Sequence, residues 1–248
     1  MEIYKNLVEK TLPIARAKYV KKVVVGINYT FVEIKNIGGG LAYTFLEKNL
    51  CCEIPENIHF WNKPADILIK NYLYGNFIEK AVALATINAL VNRENLLKNQ
   101  QVIEDIFSYL HFSTDQEVVM IGNIKSIADK LKGKVKKLWI FDGDWNEVKP
   151  SFISAVKNVY AVFITASTLV NQTLEEVLEH LKDVPEVILI GPSTPLIPEI
   201  FRFTPITYLC GSICTDHELL FRLVCEAKGT PAFFKTNTLK KITIKVKK

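Results

Sequence analysis

Five short apolar runs recur through the second half of the 248-residue chain, and they constrain its fold more than any other feature. Segments with helical apolar spacing separate the runs. The runs are continuous rather than alternating, which is typical of strands buried on both faces, as in a parallel sheet between helix layers. The pattern predicts an α/β fold with a Rossmann-like, doubly wound, mainly parallel sheet. The predicted strands are 118–121, 138–141, 160–164, 187–190 and 208–210, and the predicted helices lie near 124–132, 150–157, 174–182, 196–202 and 216–228.

The first half of the chain has another pattern, which predicts a smaller α+β domain. Helical spacing with a break or kink at Pro13 precedes strand-like sequence at 23–34 and 41–45. Three consecutive glycines, 38–40, indicate a hairpin turn or a close backbone approach. A helical segment at 64–92 follows. A more polar stretch then holds the predicted junction, which gives domains at 1–110 and 111–248.

Composition and chain termini favour a globular protein of the cytoplasm. Apolar residues make up 49% of the chain, yet no apolar stretch approaches the roughly 20 residues of a membrane span. The N-terminus lacks the apolar core of a signal peptide, and five cysteines without a Cys-x-x-Cys pair argue against a disulfide framework. Residues 240–248 hold five lysines, and within them Ile242, Ile244 and Val246 alternate with Thr243, Lys245 and Lys247, as on a half-buried, lysine-guarded strand. We therefore expect no membrane partner and no nucleic-acid partner.

Polar residues follow the predicted parallel strands at their carboxyl ends, where open parallel sheets bind ligands. Gly122 follows the first strand as a single glycine, so the dinucleotide-binding fingerprint is absent. Asp142, twenty residues later, is either a ribose-binding acid or a turn residue before glycine. The third strand runs into four polar residues whose hydroxyl and amide groups suit a polar ligand: Thr165, Ser167, Thr168 and Asn171.

The fourth predicted strand runs into the sequence Gly191-Pro192-Ser193-Thr194-Pro195. Thr194 before a proline looks like the N-cap of a helix, and the free N–H groups of that helix would suit an anion. The alternative is a tight strand-to-helix turn without a ligand. Upstream, Thr173 and Glu176 have the spacing of a capping box.

The fifth predicted strand ends in a run that holds Cys210, Cys214, Asp216 and His217. Thiolate, carboxylate and imidazole together could hold a soft or borderline metal. The Cys-x-x-x-Cys spacing is not that of a zinc knuckle, however, and two alternatives stay open: the cysteines as core residues and Asp216 as a helix cap. Hydrolase and phosphoryl-transfer signatures are missing, so whether the protein is an enzyme is open.

The runs ITASTLVNQTLEEVL, ILIGPSTPLIPEIF and LCGSICTD resemble those of a prokaryotic protein family described as "putative heavy-metal chelatase". VVVGINYTFVEI, GLAYTF and ALATINALVN in the first half are similar to the same family. The resemblance implies an enolase-N-terminal-like domain before a Rossmann-like domain, and a ligand site where the two meet. Ala166 departs from the glycine expected there, and the cysteines are not part of the family pattern. The matching positions are Tyr29, Thr30, Gly40, Thr44, Asn88, Gly122, Thr165, Thr168, Asn171, Gly191, Pro192, Ser193, Thr194, Gly211 and Asp216.

Two functional hypotheses follow for this interdomain site. In the first, it binds a divalent heavy metal or a metal–chelator complex. Gly, Ser, Thr and Asn side chains are poor ligands for such metals, which favours a metal carried by an organic ligand. In the second, an enzyme or sensor binds a nucleotide-like or other anionic small molecule, with Asp142 in the site. A scaffold without a working site, and a homo-oligomeric state, are further readings that the sequence leaves open.

Overall fold

The computed structural model describes residues 2–45, 58–98, 100–103 and 105–246, and its described strands form two sheets. One sheet has three antiparallel strands and the other has seven, most of them parallel. This confirms the predicted fold class, a large mainly parallel α/β unit with a smaller α+β part. The predicted division at residues 110 and 111 stays a prediction.

The small sheet contains β1 (Val20–Val25), β2 (Tyr29–Ile34) and β3 (Gly38–Tyr43), in that order. Helices α1 (Ile3–Ala15), α2 (Ala65–Tyr74) and α3 (Phe77–Val91) complete this part. Helix α1 continues past Pro13 to its last residue. Helix α3 begins with a capping box between Asn76 and Glu79 and is buried along nearly its whole length.

The three glycines lie within β3 and not in the hairpin turn, which is formed by residues 35–37 with Asn36 at φ 60°. Their placement in a strand is explained by packing. A Cβ atom on Gly40 would lie 2.2 Å from the carbonyl oxygen of Ala85 and from the nitrogen of Ala89. Of the two predicted alternatives, the close backbone approach is therefore confirmed and the turn is wrong.

The large sheet has the strand order β4-β10-β9-β8-β7-β5-β6. Strands β5 to β9 are mutually parallel, while β10 is antiparallel to both β9 and β4. Its strands are β4 (Val102–Ile103), β5 (Glu117–Ile121), β6 (Lys137–Phe141), β7 (Ala161–Thr165), β8 (Glu186–Ile190), β9 (Tyr208–Cys214) and β10 (Leu239–Lys245). The helices between them are α4 (Glu94–Leu97), α5 (Ile106–Tyr109), α6 (Lys125–Leu131), α7 (Trp145–Ala155), α8 (Leu174–Glu179), α9 (Pro198–Phe201), α10 (His217–Cys225) and α11 (Thr230–Lys235).

Burial on both faces explains the continuous apolar runs of the central strands. In β5, Val119 and Ile121 belong to one buried cluster, whereas Val118 and Met120 belong to the other. The chain goes from β5 to β6 on one side and then returns to pair β7 on the other side of β5. The strand order thus reverses between β5 and β7, the position at which open α/β sheets form a ligand crevice.

No helix in the described part of the chain is long and apolar enough to cross a membrane.

Candidate functional site

The strand register brings five predicted site residues to one edge of the large sheet. Ile121 pairs with both Phe141 and Ile164, and Ile190 pairs with both Thr165 and Cys210. The residues that adjoin these pairs therefore lie side by side across β6, β5, β7, β8 and β9. We call this row the strand-end edge; its residues are Asp142, Gly122, Thr165, Gly191 and Gly211.

Backbone geometry at the switch point requires glycine. Gly122 has φ +81°, and a Cβ atom on it would lie 2.6 Å from Cγ2 of Thr165. Gly191 has φ +134°, a conformation that side-chain-bearing residues rarely adopt. The ends of β5 and β7 thus approach each other closely, and both glycines remain partly exposed.

Some polar side chains after β7 make hydrogen bonds within the fold, and others belong to partly exposed residues. The hydroxyl of Thr168 donates to the carbonyl of Thr165 (2.7 Å), and Oδ1 of Asn171 accepts from the hydroxyl of Thr173 (2.9 Å). The hydroxyls of Thr165 and Ser167 lie 3.1 Å apart and belong to partly exposed residues. Thr165 and Ser167 are therefore the side chains here that are best placed to meet a ligand.

The predicted capping box at Thr173 is wrong. Thr173 precedes α8 but makes no side-chain capping hydrogen bond, because its hydroxyl is directed to Asn171. The carboxylate of Glu176 is instead paired with Lys149 on α7.

Helix α3 and strand β3 lie against the loop that follows β8. Asn88 donates from Nδ2 to the carbonyls of Leu41 (2.8 Å) and Ser193 (3.1 Å). The backbone N–H of Tyr43 donates to the hydroxyl of Ser193 (2.7 Å). The two halves of the chain are thus joined through the backbone of this loop and a buried serine.

Asn92, which the sequence analysis did not single out, makes the densest set of these contacts. Its Nδ2 donates to the carbonyls of Thr194 (2.9 Å) and Ser212 (3.2 Å), and its Oδ1 accepts from the N–H of Leu196 (2.8 Å). Asn92 follows Asn88 by four residues, hence by one helical turn. Two amide side chains at this spacing in a mostly apolar segment were the feature of the sequence that could have indicated this contact.

Thr194 does not cap a helix, so that prediction is wrong. Helix α9 begins at Pro198 with Ile197 as its N-cap, and the N–H of Thr194 donates to the carbonyl of Gly191 (3.0 Å). The segment is the tight turn that was the alternative. The turn lies beneath α3, and Pro192, Ser193 and Thr194 are all buried.

Two buried atoms of this interface keep unused hydrogen-bonding capacity. Oδ1 of Asn88 and Oγ1 of Thr194 have no partner within the described ranges. Buried polar atoms normally have one, so a water or a ligand group is expected to satisfy them.

Other predicted site residues hold the fold together. The hydroxyls of Thr30 and Thr44 are buried 3.0 Å apart. Burial raises the pKa of Tyr29 to about 12, and its ring packs edge-on against Tyr43. A Cβ atom on Gly211 would lie 2.9 Å from the carbonyl oxygen of Thr194, so this position needs glycine.

Asp142 lies exposed at the end of the row, next to the Gly122 turn. Its carboxylate is therefore accessible to a ligand, as both sequence readings allow.

The run from Cys210 to His217 does not assemble a metal site. Cys210 and Cys214 are four residues apart on one strand, which separates them by about 13 Å. Burial raises the pKa of each thiol to about 12 and keeps both protonated, whereas metal ligation requires thiolate. Asp216 caps α10 by accepting from the N–H of Leu219 (3.0 Å), which confirms that alternative.

In the described ranges, no group of three or more His, Cys, Asp or Glu side chains is arranged to hold a metal ion. A heavy metal ligated by protein side chains alone does not fit these residues. The hydroxyls of the partly exposed Thr165 and Ser167 and the exposed carboxylate of Asp142 suit a polar organic ligand instead.

The fold and this edge define an α/β protein in which predicted site residues lie together at the switch point of a mainly parallel sheet. Residues 105–243 match the DUF364 family and residues 8–91 match the DUF4213 family, both described as "Putative heavy-metal chelation". The first match covers more than half of the chain, which therefore belongs to the DUF364 family. This confirms the resemblance found in the sequence.

Relatives occur in archaea and in a bacterium. An uncharacterized protein of Methanocaldococcus jannaschii is 25% identical over 206 residues, 78% of each chain. A DUF364 structure from Pyrococcus horikoshii has a TM-score of 0.81 at 21% identity and covers 98% of this chain and 100% of its own. One from Desulfitobacterium hafniense has a TM-score of 0.80 at 22% identity and covers 98% of both chains. At these identities the two structures support the fold alone.

We predict that Asn92→Ala lowers the free energy of unfolding by about 3 kcal/mol, because it removes three buried hydrogen bonds worth about 1 kcal/mol each. Urea titration measures the change. The matched control is Asn71→Ala, which removes one side-chain hydrogen bond to Glu79 and should cost about 1 kcal/mol or less. Equal losses for the two variants would show that Asn92 does not join the halves.

The raised thiol pKa values predict slow alkylation of the native protein. At pH 8 about one part in 10⁴ of a thiol with a pKa near 12 is thiolate, the reactive form. Iodoacetamide labelling followed by peptide mass mapping should therefore modify the exposed Cys225 long before Cys210 or Cys214. Labelling of Cys214 at the rate of Cys225 would contradict this protonated, buried environment.

Proposed function

We propose that the strand-end edge binds a small organic ligand with anionic or chelating oxygen atoms, and that a divalent heavy metal reaches the protein as part of such a complex. The observation that carries this proposal is the arrangement at the switch point. Two glycines with positive φ bring backbone close to Thr165 and Ala166, and the partly exposed Thr165 and Ser167 carry hydroxyls 3.1 Å apart. Such an arrangement offers hydroxyl donors to oxygen atoms of a ligand.

The same chemistry argues that a metal would not be held by the protein alone. Divalent heavy metals prefer thiolate, imidazole and carboxylate ligands, and the strand-end edge offers one carboxylate, Asp142. One carboxylate does not hold such a metal, so a chelator would supply the donors to the metal and the protein would recognise the chelator. The description of both matched families as "Putative heavy-metal chelation" supports a metal in this role.

Within this proposal the predicted site residues have two roles. Gly122, Asp142, Thr165 and Gly191 face the ligand. The other predicted residues hold these four in position through their contacts with α3, β3 and the loops after the strands. These positioning residues are Tyr29, Thr30, Gly40, Asn88, Thr168, Asn171, Pro192, Ser193, Thr194, Gly211 and Asp216.

A nucleotide-like ligand is the second candidate, and Asp142 favours it. Its carboxylate is exposed beside the Gly122 turn, where related sheets hold a ribose. The protein would then be an enzyme or a sensor. Asp142→Asn separates the candidates, because it should weaken a nucleotide-like ligand more than a metal–chelator complex that binds mainly through the hydroxyls of Thr165 and Ser167.

Native mass spectrometry of gently purified, untagged protein tests the proposal. We expect the folded mass to exceed the denatured mass by an organic ligand, with or without a metal. Ser167→Ala should lower the occupancy of that ligand, because it removes a hydroxyl from the edge. Ser154→Ala, which removes an exposed hydroxyl on α7, should leave it unchanged. A bound mass that survives Ser167→Ala but is lost in Ser154→Ala would place the site elsewhere.

A further inference from the structure

A cleft of about 560 Å³ lies between the small sheet and the first turn of α10, away from the strand-end edge. Its walls include the start of β1, the end of β2 with the following turn, and His217. We call it the Glu33 cleft, after the carboxylate in its wall. The charged side chains that line it are Lys21, Glu33, Lys35 and His217.

Glu33 is buried and only half satisfied. Its side chain is 8% exposed, and Oε1 accepts a hydrogen bond from Nζ of Lys21 at 2.8 Å. Oε2 is buried and has no hydrogen-bond partner within the described residues. A buried carboxylate oxygen without a donor is unfavourable, and the atom therefore has capacity for a cation or a donor.

An imidazole from the other half of the chain faces this carboxylate. Nδ1 of His217 lies 3.9 Å from Oε1 of Glu33, and the His217 side chain is 37% exposed. A carboxylate oxygen beside an imidazole nitrogen is a donor pair that borderline divalent metals prefer, and a metal can replace the weak contact that now joins the two groups.

The ammonium group of Lys21 already pairs with the Glu33 carboxylate, as a bound metal cation would. The hydrogen bond that Lys21 donates to Glu33 raises the pKa of Lys21, so its ammonium remains charged at neutral pH. The Lys21 side chain is 50% exposed, and it can turn into solvent when another cation replaces it. Lys35 also lines the cleft, but the ion pair with Glu33 is made by Lys21, so Lys35 serves as a reference for charge alone.

We propose that the Glu33 cleft binds a divalent ion of borderline type, such as Zn²⁺, through the carboxylate of Glu33 and Nδ1 of His217. The ion displaces Lys21 from Glu33. Two protein ligands leave further coordination positions, which water or a small chelator fills, so the site exchanges its ion readily. This site uses other residues than the strand-end edge and does not depend on the function proposed for that edge.

Zinc chloride titration of the full-length protein tests this site. Histidine-selective ¹H–¹⁵N NMR can follow the four imidazoles of the chain. We expect the His217 resonances to shift and saturate at one equivalent. Glu33→Gln and His217→Gln should each weaken this step by about tenfold or more. Because Glu33 is buried, the Glu33→Gln variant is compared only if its thermal unfolding resembles that of the wild type. If it does not, the test relies on His217→Gln, which changes a more exposed side chain.

Two lysine variants separate a direct effect from a change in net charge. Lys21→Met frees the Glu33 carboxylate and should tighten zinc binding severalfold, while Lys35→Met changes the charge equally and should tighten it less. Cys214→Ser should leave the step unchanged, because the Cys214 thiol is not a ligand. Zinc that leaves the His217 resonances unmoved, or equal effects of the two lysine variants, would overturn the proposal.

Discussion

The close approach of α3 to β3 is the constraint on which the rest of the structure depends. Gly40 permits it, since a Cβ atom there would lie 2.2 Å from the helix backbone. The approach carries Asn88 and Asn92 onto the loop after β8, where their amides bond backbone carbonyls of the other half of the chain. Both amides are buried and leaving them unpaired would be costly, so these bonds fix how the halves meet.

This packing also decides which polar groups remain for a ligand. The turn at Ser193 and Thr194 looked in the sequence like an anion cradle, but its donors are used within the fold. The N–H of Thr194 donates to the carbonyl of Gly191, and the N–H of Leu196 donates to Oδ1 of Asn92. The partly exposed groups lie one strand away, at Thr165, and two strands away, at Gly122. The loop after β8 therefore mainly holds the strand-end edge in place, and it contributes less to the surface that a ligand can reach.

The sequence predicted the parallel strands well, because burial on both faces leaves continuous apolar runs such as Val118–Ile121. It placed the ends of the first four strands within one residue of the observed ends. It ended the fifth at residue 210, whereas β9 continues to Cys214 because it pairs with β10 along that length. It could not predict that β10 lies antiparallel beside β9, because an alternating strand does not reveal its neighbour. The misjudged cap at Thr194 has a similar cause, since local spacing does not show that α3 covers the turn. Likewise, the pairing of Glu33 with His217 depends on contacts between distant parts of the chain.

The most direct test of the central claim is a map of backbone amide shifts in deuterated, ¹⁵N-labelled protein as citrate is added, with and without zinc. Citrate is a small polyanionic chelator and so presents the chemistry that the strand-end edge is proposed to recognise. We predict shifts centred on the amides of Gly122, Ser167 and Gly191, larger for the zinc complex than for citrate alone. Citrate-dependent shifts that leave these amides unmoved and cluster on another surface would contradict it.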